Sequence, residues 1–214
     1  MRKMWIKRAY TQHLRDNSSI YLFVTVLFLM GIIFGAIVVN SLTVDQKDDL
    51  YFYLNRFFGL VKTGEVATST EMFQQSFFHN VKYLGLIWIL GIAIIGLPVV
   101  LILLFIKGMV IGFTVGFLVN RMGLSGFALS FVSVMPQNIF LIPAFLILTT
   151  ASVAFSLKLI RQQFFKGAKE QVAASFFRYS GILVGVFVLI ACASLIEGYV
   201  SPTLMKTMMS LVNK

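Results

Sequence analysis

Residues Gly108 to Val134 read GMVIGFTVGFLVNRMGLSGFALSFVSV, and whether this stretch crosses a membrane decides the topology of the whole chain. Two basic stretches, Met1 to Asn17 and Lys158 to Arg178, lie on either side of it, with five Lys or Arg in each out of 18 in the protein. Basic flanks of membrane helices stay on the cytoplasmic side, so an even number of crossings must separate the two. Between them, Ser19 to Val39, Tyr83 to Ile106 and Ile139 to Leu157 have the length and apolarity of spanning helices. The fourth crossing falls to Gly108 through Val134. The structural alternative, a re-entrant hairpin, would leave the second basic stretch outside. With the apolar run Tyr179 to Tyr199, the reading is an all-α polytopic membrane protein of five transmembrane helices, N-terminus cytoplasmic and C-terminus extracytoplasmic.

Composition agrees with a membrane solvent. Of the 214 residues 58% are hydrophobic and only 12% charged, and the mean hydropathy is +0.89, well outside soluble usage. Five spans of about 20 residues use roughly half the chain. That leaves a single membrane domain, 1–214, with no room for a separate soluble catalytic domain. The net charge of +10 belongs mostly to cytoplasmic flanks facing anionic lipid and implies no nucleic acid. Met1 to Val39 has a basic start and an apolar run longer than a signal-peptide core. Gly35-Ala36-Ile37-Val38-Val39 offers no small-x-small cleavage site, so the segment reads as an uncleaved anchor. The lone Cys192, inside the fifth span, reads as a small core residue.

Short amphipathic elements flank the spans. Trp5, Ile6, Ala9, Tyr10 and Leu14 share one side of a helical wheel, which suits a basic interfacial helix over 1–17. Thr43-Val44-Asp45-Gln46 and Thr68-Ser69-Thr70-Glu71 both match the capping box. They predict an outer helical hairpin over 43–82, built from Val44 to Lys62 and Ser69 to Lys82, the second helix running into the span at Tyr83. Leu50, Leu54, Phe57 and Phe58 recur at helical spacing on the first and are candidate partner contacts, since aromatic anchors dominate interfaces. The same face would also suit packing on lipid or on the other outer helix. The basic loop 158–178 carries Phe164, Phe165, Val172, Phe176 and Phe177 in an amphipathic pattern.

Gly108, Gly112 and Gly116 form two overlapping GxxxG steps on one stripe, which permits close helix contact either within the molecule or across a homodimer. Lys107, Arg121 and Glu197 fall near predicted span ends, where they can snorkel. The lack of a midplane charge then weighs against a transport pathway. Catalytic patterns fail as well. There is no HExxH, CxxC, GxSxG or Walker A sequence, His13 and His79 stand alone on opposite sides, and Asp45, Asp48 and Asp49 cluster on an exposed helix start. The expectation is a non-enzyme without metal or cofactor. One polar group stands out within the membrane: Met135-Pro136-Gln137-Asn138, followed by Pro143. It suits a helix cap or kink, or a contact with a partner or ligand.

At these residues the chain resembles the stage II sporulation protein M family over its whole length. The basic start, first span, acidic outer loop, Gly-rich third span and Pro136 through Ala144 carry the resemblance. The wider family often has Pro-His-Gly, then Glu, then Pro-Ala at that last site. Pro136, Pro143 and Ala144 match, whereas Gln137, Asn138 and Leu141 replace the His, Gly and Glu. The resemblance implies a non-catalytic membrane scaffold and localisation factor for peptidoglycan hydrolases during septal wall remodelling and forespore engulfment. Its implied partners are stage II sporulation proteins P and D, and its implied location is the mother-cell membrane at the septum. The rival reading is a small permease or channel-like subunit, its pathway lined by the Gly-rich helix and Gln137-Asn138.

Overall fold

The computed structural model describes residues 17–63, 68–164 and 172–212, nearly all of them helical. The expected interfacial helix over 1–17 and the centre of the basic loop at 165–171 lie outside the described residues, apart from Asn17. Helix α1 (Ser18–Ser41) buries Val24, Phe28, Gly31, Gly35 and Val39, a stripe with three- and four-residue spacing. Its other faces leave Leu22, Phe23, Met30, Ile33 and Ile37 exposed. An apolar surface of that extent suits lipid and would be a liability in water.

Both predicted capping boxes form. The Thr43 N–H donates to Gln46 Oε1 at 3.0 Å and the Gln46 N–H to Thr43 Oγ1 at 3.3 Å, opening α2 (Val44–Thr63). The Thr68 N–H donates to Glu71 Oε2 at 2.8 Å and the Glu71 N–H to Thr68 Oγ1 at 3.3 Å, opening α3 (Ser69–Ile92). Helix α3 continues unbroken past Tyr83, so the second outer helix and the start of the next span are one helix.

Two turns then correct the span boundaries. At Ala93 the backbone leaves the helix (φ −96°, ψ 129°), and the Gly96 N–H donates to the Ala93 carbonyl at 2.9 Å. A side chain at Gly96 would collide with the Leu90 carbonyl. The Tyr83 hydroxyl donates to the Leu103 carbonyl at 2.6 Å across this turn. Tyr83 to Ile106 is therefore an antiparallel hairpin and not a single span. The second turn lies inside α4 (Gly96–Phe164), at Gly123 (φ 57°, ψ −133°), the one positive-φ residue described. Leu118 packs with Leu129, and the Lys107 ammonium reaches the Phe145 ring, so limb 96–122 and limb 124–164 run antiparallel. Gly108 to Val134 is likewise not one crossing: it closes the first limb, turns at Gly123 and opens the second. Hydropathy hides both turns because a tight helical reversal needs only a glycine and no polar run.

The chain ends in α5 (Val172–Leu195), a π-helical turn (Ile196–Val200) and α6 (Ser201–Val212). Three helical stretches are long and apolar enough to cross a membrane: Ser18–Ser41, Gly96–Gln163 and Ala174–Met205. The second is folded in two at Gly123. Helix α3 begins too polar to meet the same standard.

Hydrogen bonds set the register of the bundle. Ser152 and Ser156 of the second limb donate to the carbonyls of Ile87 (3.3 Å) and Gly91 (2.7 Å) on α3, so these helices run parallel. The Tyr179 hydroxyl of α5 donates to the Trp88 carbonyl at 2.8 Å and lies 2.7 Å from Ser152 Oγ. Its ring stacks on Phe155 with centroids 5.0 Å apart. Around this contact the core gathers Phe28, Leu84, Ile87, Leu104, Phe145, Leu148 and Ile190. A shallow groove lined by Ile92, Ile95, Leu159 and Gln163 places the 93–95 turn and the end of α4 together. The Gly123 turn, α2 and α6 meet at the opposite end.

Candidate functional site

Two places in the bundle carry more than packing: helix α2 and a polar cluster between α3, α4 and the π turn. Among the described residues, helix α2 meets the bundle through Asp48, Tyr51 and Leu54. Arg121, at the end of the first α4 limb, pairs with Asp48 and lies 5.6 Å from the centroid of the Tyr51 ring. Leu54 packs against Leu118, Leu129 and Met205. Of the four predicted contact residues, Leu54 thus points inward and Leu50 is half-buried, while Phe57 is exposed. The Phe58 side chain lies outside the described residues. Two aromatic rings missing from the sequence-based selection face away from the bundle: Phe52 and Tyr53, 65% and 66% exposed, with centroids 6.0 Å apart. Helical spacing grouped Leu50, Leu54 and Phe57 as one apolar face, but periodicity does not say which face the bundle covers.

The glycine stripe on α4 is covered by α1. Side chains at Gly108 and Gly112 would collide with the Phe28 and Ile32 carbonyls, and reciprocally at Gly31 and Gly35 with those of Phe105 and Met109. Gly116 meets Ala36. Glycine lets the two backbones approach closely, and contact of this kind is what drives helix association where lipid removes the hydrophobic difference. The 135–138 motif is locally satisfied. Asn138 is buried, and its Nδ2 donates to the Val134 carbonyl at 2.7 Å within the same limb. Gln137 Oε1 is buried without a hydrogen-bond partner, and Pro136 and Pro143 lie within the helix. The pathway imagined along Gln137 and Asn138 therefore has its amide nitrogen engaged by backbone.

The polar cluster is where the structure departs most from the sequence. Lys107 is not at a span end. It lies about 16 Å from one end of its limb and about 22 Å from the other at helical rise. The ammonium stands 5.7 Å from the Tyr83 ring centroid and 5.0 Å from that of Phe145, and cation–π attraction strengthens away from water. Glu197 sits in the π turn, where it accepts a hydrogen bond from Ser76 Oγ. Ser76 is also hydrogen-bonded to Ser194 at 3.2 Å, and Asn80 Nδ2 donates to the Ser76 carbonyl at 2.9 Å. Ser76, Asn80 and Tyr83 stand at i, i+4 and i+7, one face of α3. This polar stripe was visible in the sequence at helical spacing. Its importance was not, because the 93–95 turn that brings Lys107 beside it was read as part of a span. The argument against transport from a missing mid-bundle charge does not hold.

The family model for stage II sporulation protein M matches residues 24–202. The chain belongs to the stage II sporulation protein M family. Neither the curated proteins nor the solved structures compared with it yield a match. Family membership and the lipid-suited helices together make the chain a sporulation-related membrane protein. In this family member the match begins inside α1 and ends at the start of α6, so it takes in α2, both glycine-lined helices and the polar cluster.

Proposed function

We propose that this sporulation-family chain is a non-catalytic membrane scaffold that gathers membrane-anchored peptidoglycan hydrolases, stage II sporulation proteins P and D, at the sporulation septum for engulfment. In this reading all five limbs cross the membrane: α1, α3, the two limbs of α4, and α5. The N-terminal end is cytoplasmic by the distribution of Lys and Arg. That places α2, the Gly123 turn and α6 outside, on the side of the cell wall.

The observation that carries the proposal is the way α2 is held. Among the described residues, the Arg121–Asp48 ion pair, the Arg121–Tyr51 cation–π contact and the Leu54 contact tether it, while Phe52 and Tyr53 point outward. Exposed aromatic pairs on a supported helix are the kind of anchor that dominates protein interfaces. The contact residues proposed are accordingly Phe52, Tyr53 and Phe57, with Leu54 supporting them from below. The test is affinity purification of the tagged chain from sporulating cells after mild crosslinking. Recovery of the hydrolases from wild type and their loss from the Phe52→Glu, Tyr53→Glu double variant is the expected result. Undiminished recovery from an inserted, abundant double variant would remove the proposal.

A further inference from the structure

Glu197 sets a carboxylate into a bundle of apolar helices, and among the described residues it makes no ion-pair contact. The cations of α4 are held elsewhere: Lys107 stands over the Tyr83 and Phe145 rings, and Arg121 is engaged by Asp48. An ionised group in such surroundings is costly and needs compensation.

Oxygen atoms gather around this carboxylate. Ser76 Oγ donates to Glu197 Oε2. A serine hydroxyl has one proton, and with that proton on Glu197 the 3.2 Å bond between Ser76 and Ser194 takes its proton from Ser194. The Asn80 amide closes the group, with Nδ2 3.4 Å from Ser76 Oγ and 2.9 Å from the Ser76 carbonyl, to which it donates. Ser76, Asn80 and Ser194 are 7%, 3% and 0% exposed. Lone pairs remain on three of these residues: the Glu197 carboxylate, Ser194 Oγ, and Asn80 Oδ1, which is buried without a hydrogen-bond partner. A buried acceptor left unpaired is rare and calls for an occupant.

The backbone is arranged to hold the group together. The extra residue in a π turn re-aims a side chain, and such turns recur at functional sites. At Gly198 a Cβ would lie 2.8 Å from the Ser69 carbonyl oxygen and 3.0 Å from Phe73. Glycine there lets the π turn close onto the first turns of α3, which seats Glu197 on Ser76.

We propose that Glu197, Ser194 and Asn80, with Ser76 holding the carboxylate, form a binding site for a monovalent alkali cation such as Na+. The donor set is hard oxygen throughout, which suits alkali and alkaline-earth ions and not the transition metals that favour nitrogen and sulfur. One carboxylate decides between the first two classes. A monovalent ion leaves the site neutral, whereas a divalent ion leaves a full positive charge among apolar helices. Enclosure decides against a Lys or Arg of a partner, because Ser194 and Asn80 are too deeply buried for a long side chain to reach. Glu197 itself is half-buried and gives a bare ion its entry.

The test is 23Na nuclear magnetic resonance of the whole chain in lipid bicelles, with Na+ titrated against N-methylglucamine at constant ionic strength. Wild type should add a saturable excess to the Na+ line width, and Glu197→Gln should lose it. Glu71→Gln, which removes an exposed acid from the same helix α3 and keeps a capping residue, should retain it. Ser194→Ala keeps the carboxylate but removes one ligand, so saturation should require several-fold more Na+; this comparison stands if Glu197→Gln does not fold. No saturable excess in wild type, an excess that survives Glu197→Gln, or an unchanged titration in Ser194→Ala overturns the proposal. Displacement of Na+ by a far lower concentration of Ca2+ overturns the assignment to a monovalent ion.

Discussion

Gly123→Ala separates the folded-back α4 from a straight one by the sign of its effect. If residues 96–164 formed one uninterrupted helix, alanine in place of a mid-helix glycine would stabilise it by about 0.5–1 kcal/mol. In the structure Gly123 has φ 57° and ψ −133°, a conformation that L side chains rarely adopt. Holding alanine there costs about 1–3 kcal/mol. No steric term confuses the comparison, because a Cβ at Gly123 would meet nothing within 4 Å. The assay is equilibrium unfolding in mixed micelles by titration with a denaturing detergent, followed by far-ultraviolet circular dichroism. Gly85→Ala is the control, since Gly85 lies in a regular helix and its Cβ position is also open. The expected outcome is destabilisation at 123 and a small stabilisation at 85. Equal stabilisation at both sites would refute the turn, and with it the antiparallel limbs that bring Lys107 beside Phe145.

Other perturbations test the packing. Gly112→Leu should drive α1 from α4, lowering stability by more than about 2 kcal/mol, and detergent unfolding measures it; Gly116→Ala, facing Ala36 with less crowding, should cost much less. Tyr179→Phe keeps the stack on Phe155 but loses the hydroxyl contacts to Trp88 and Ser152, for a cost of about 1 kcal/mol by the same titration. At the start of α3, the Thr68 backbone N–H, and then its side chain, hold the Glu71 carboxyl below its ordinary value of 4.5. A depressed carboxyl contributes stability above its unfolded value and loses it as pH falls through the folded one. Protection of the Met72 amide, which donates to the Thr68 carbonyl, should therefore decline as pH drops below 4.5. Thr68→Ala should flatten that decline in hydrogen exchange.

The resemblance to the sporulation family and the two capping boxes were legible because each rests on local residue order. Thr43 with Gln46 and Thr68 with Glu71 need only three-residue spacing to form their bonds. The glycine stripe was legible as a contact surface, but its partner was not. Only the folded chain shows that Gly108 and Gly112 take Phe28 and Ile32 from α1. Helix α2 was visible by periodicity, yet its inward face was fixed by Leu118, Leu129 and Met205, which lie far away in sequence.

Membrane character and all-helical class followed from the sequence alone, since an apolar chain in lipid must satisfy its backbone within helices. Where one apolar stretch ended was not readable. Helices α3 and α4 are separated by three residues at 93–95, and the limbs of α4 by Gly123 alone. A hydropathy window averages over such turns, whereas the backbone angles at Ala93 and Gly123 reverse the chain. That reversal moves Lys107 from an expected span end to the middle of the bundle, beside Tyr83 and Phe145. Residue identity set the polarity of this cluster; tertiary structure alone set its depth and its partners.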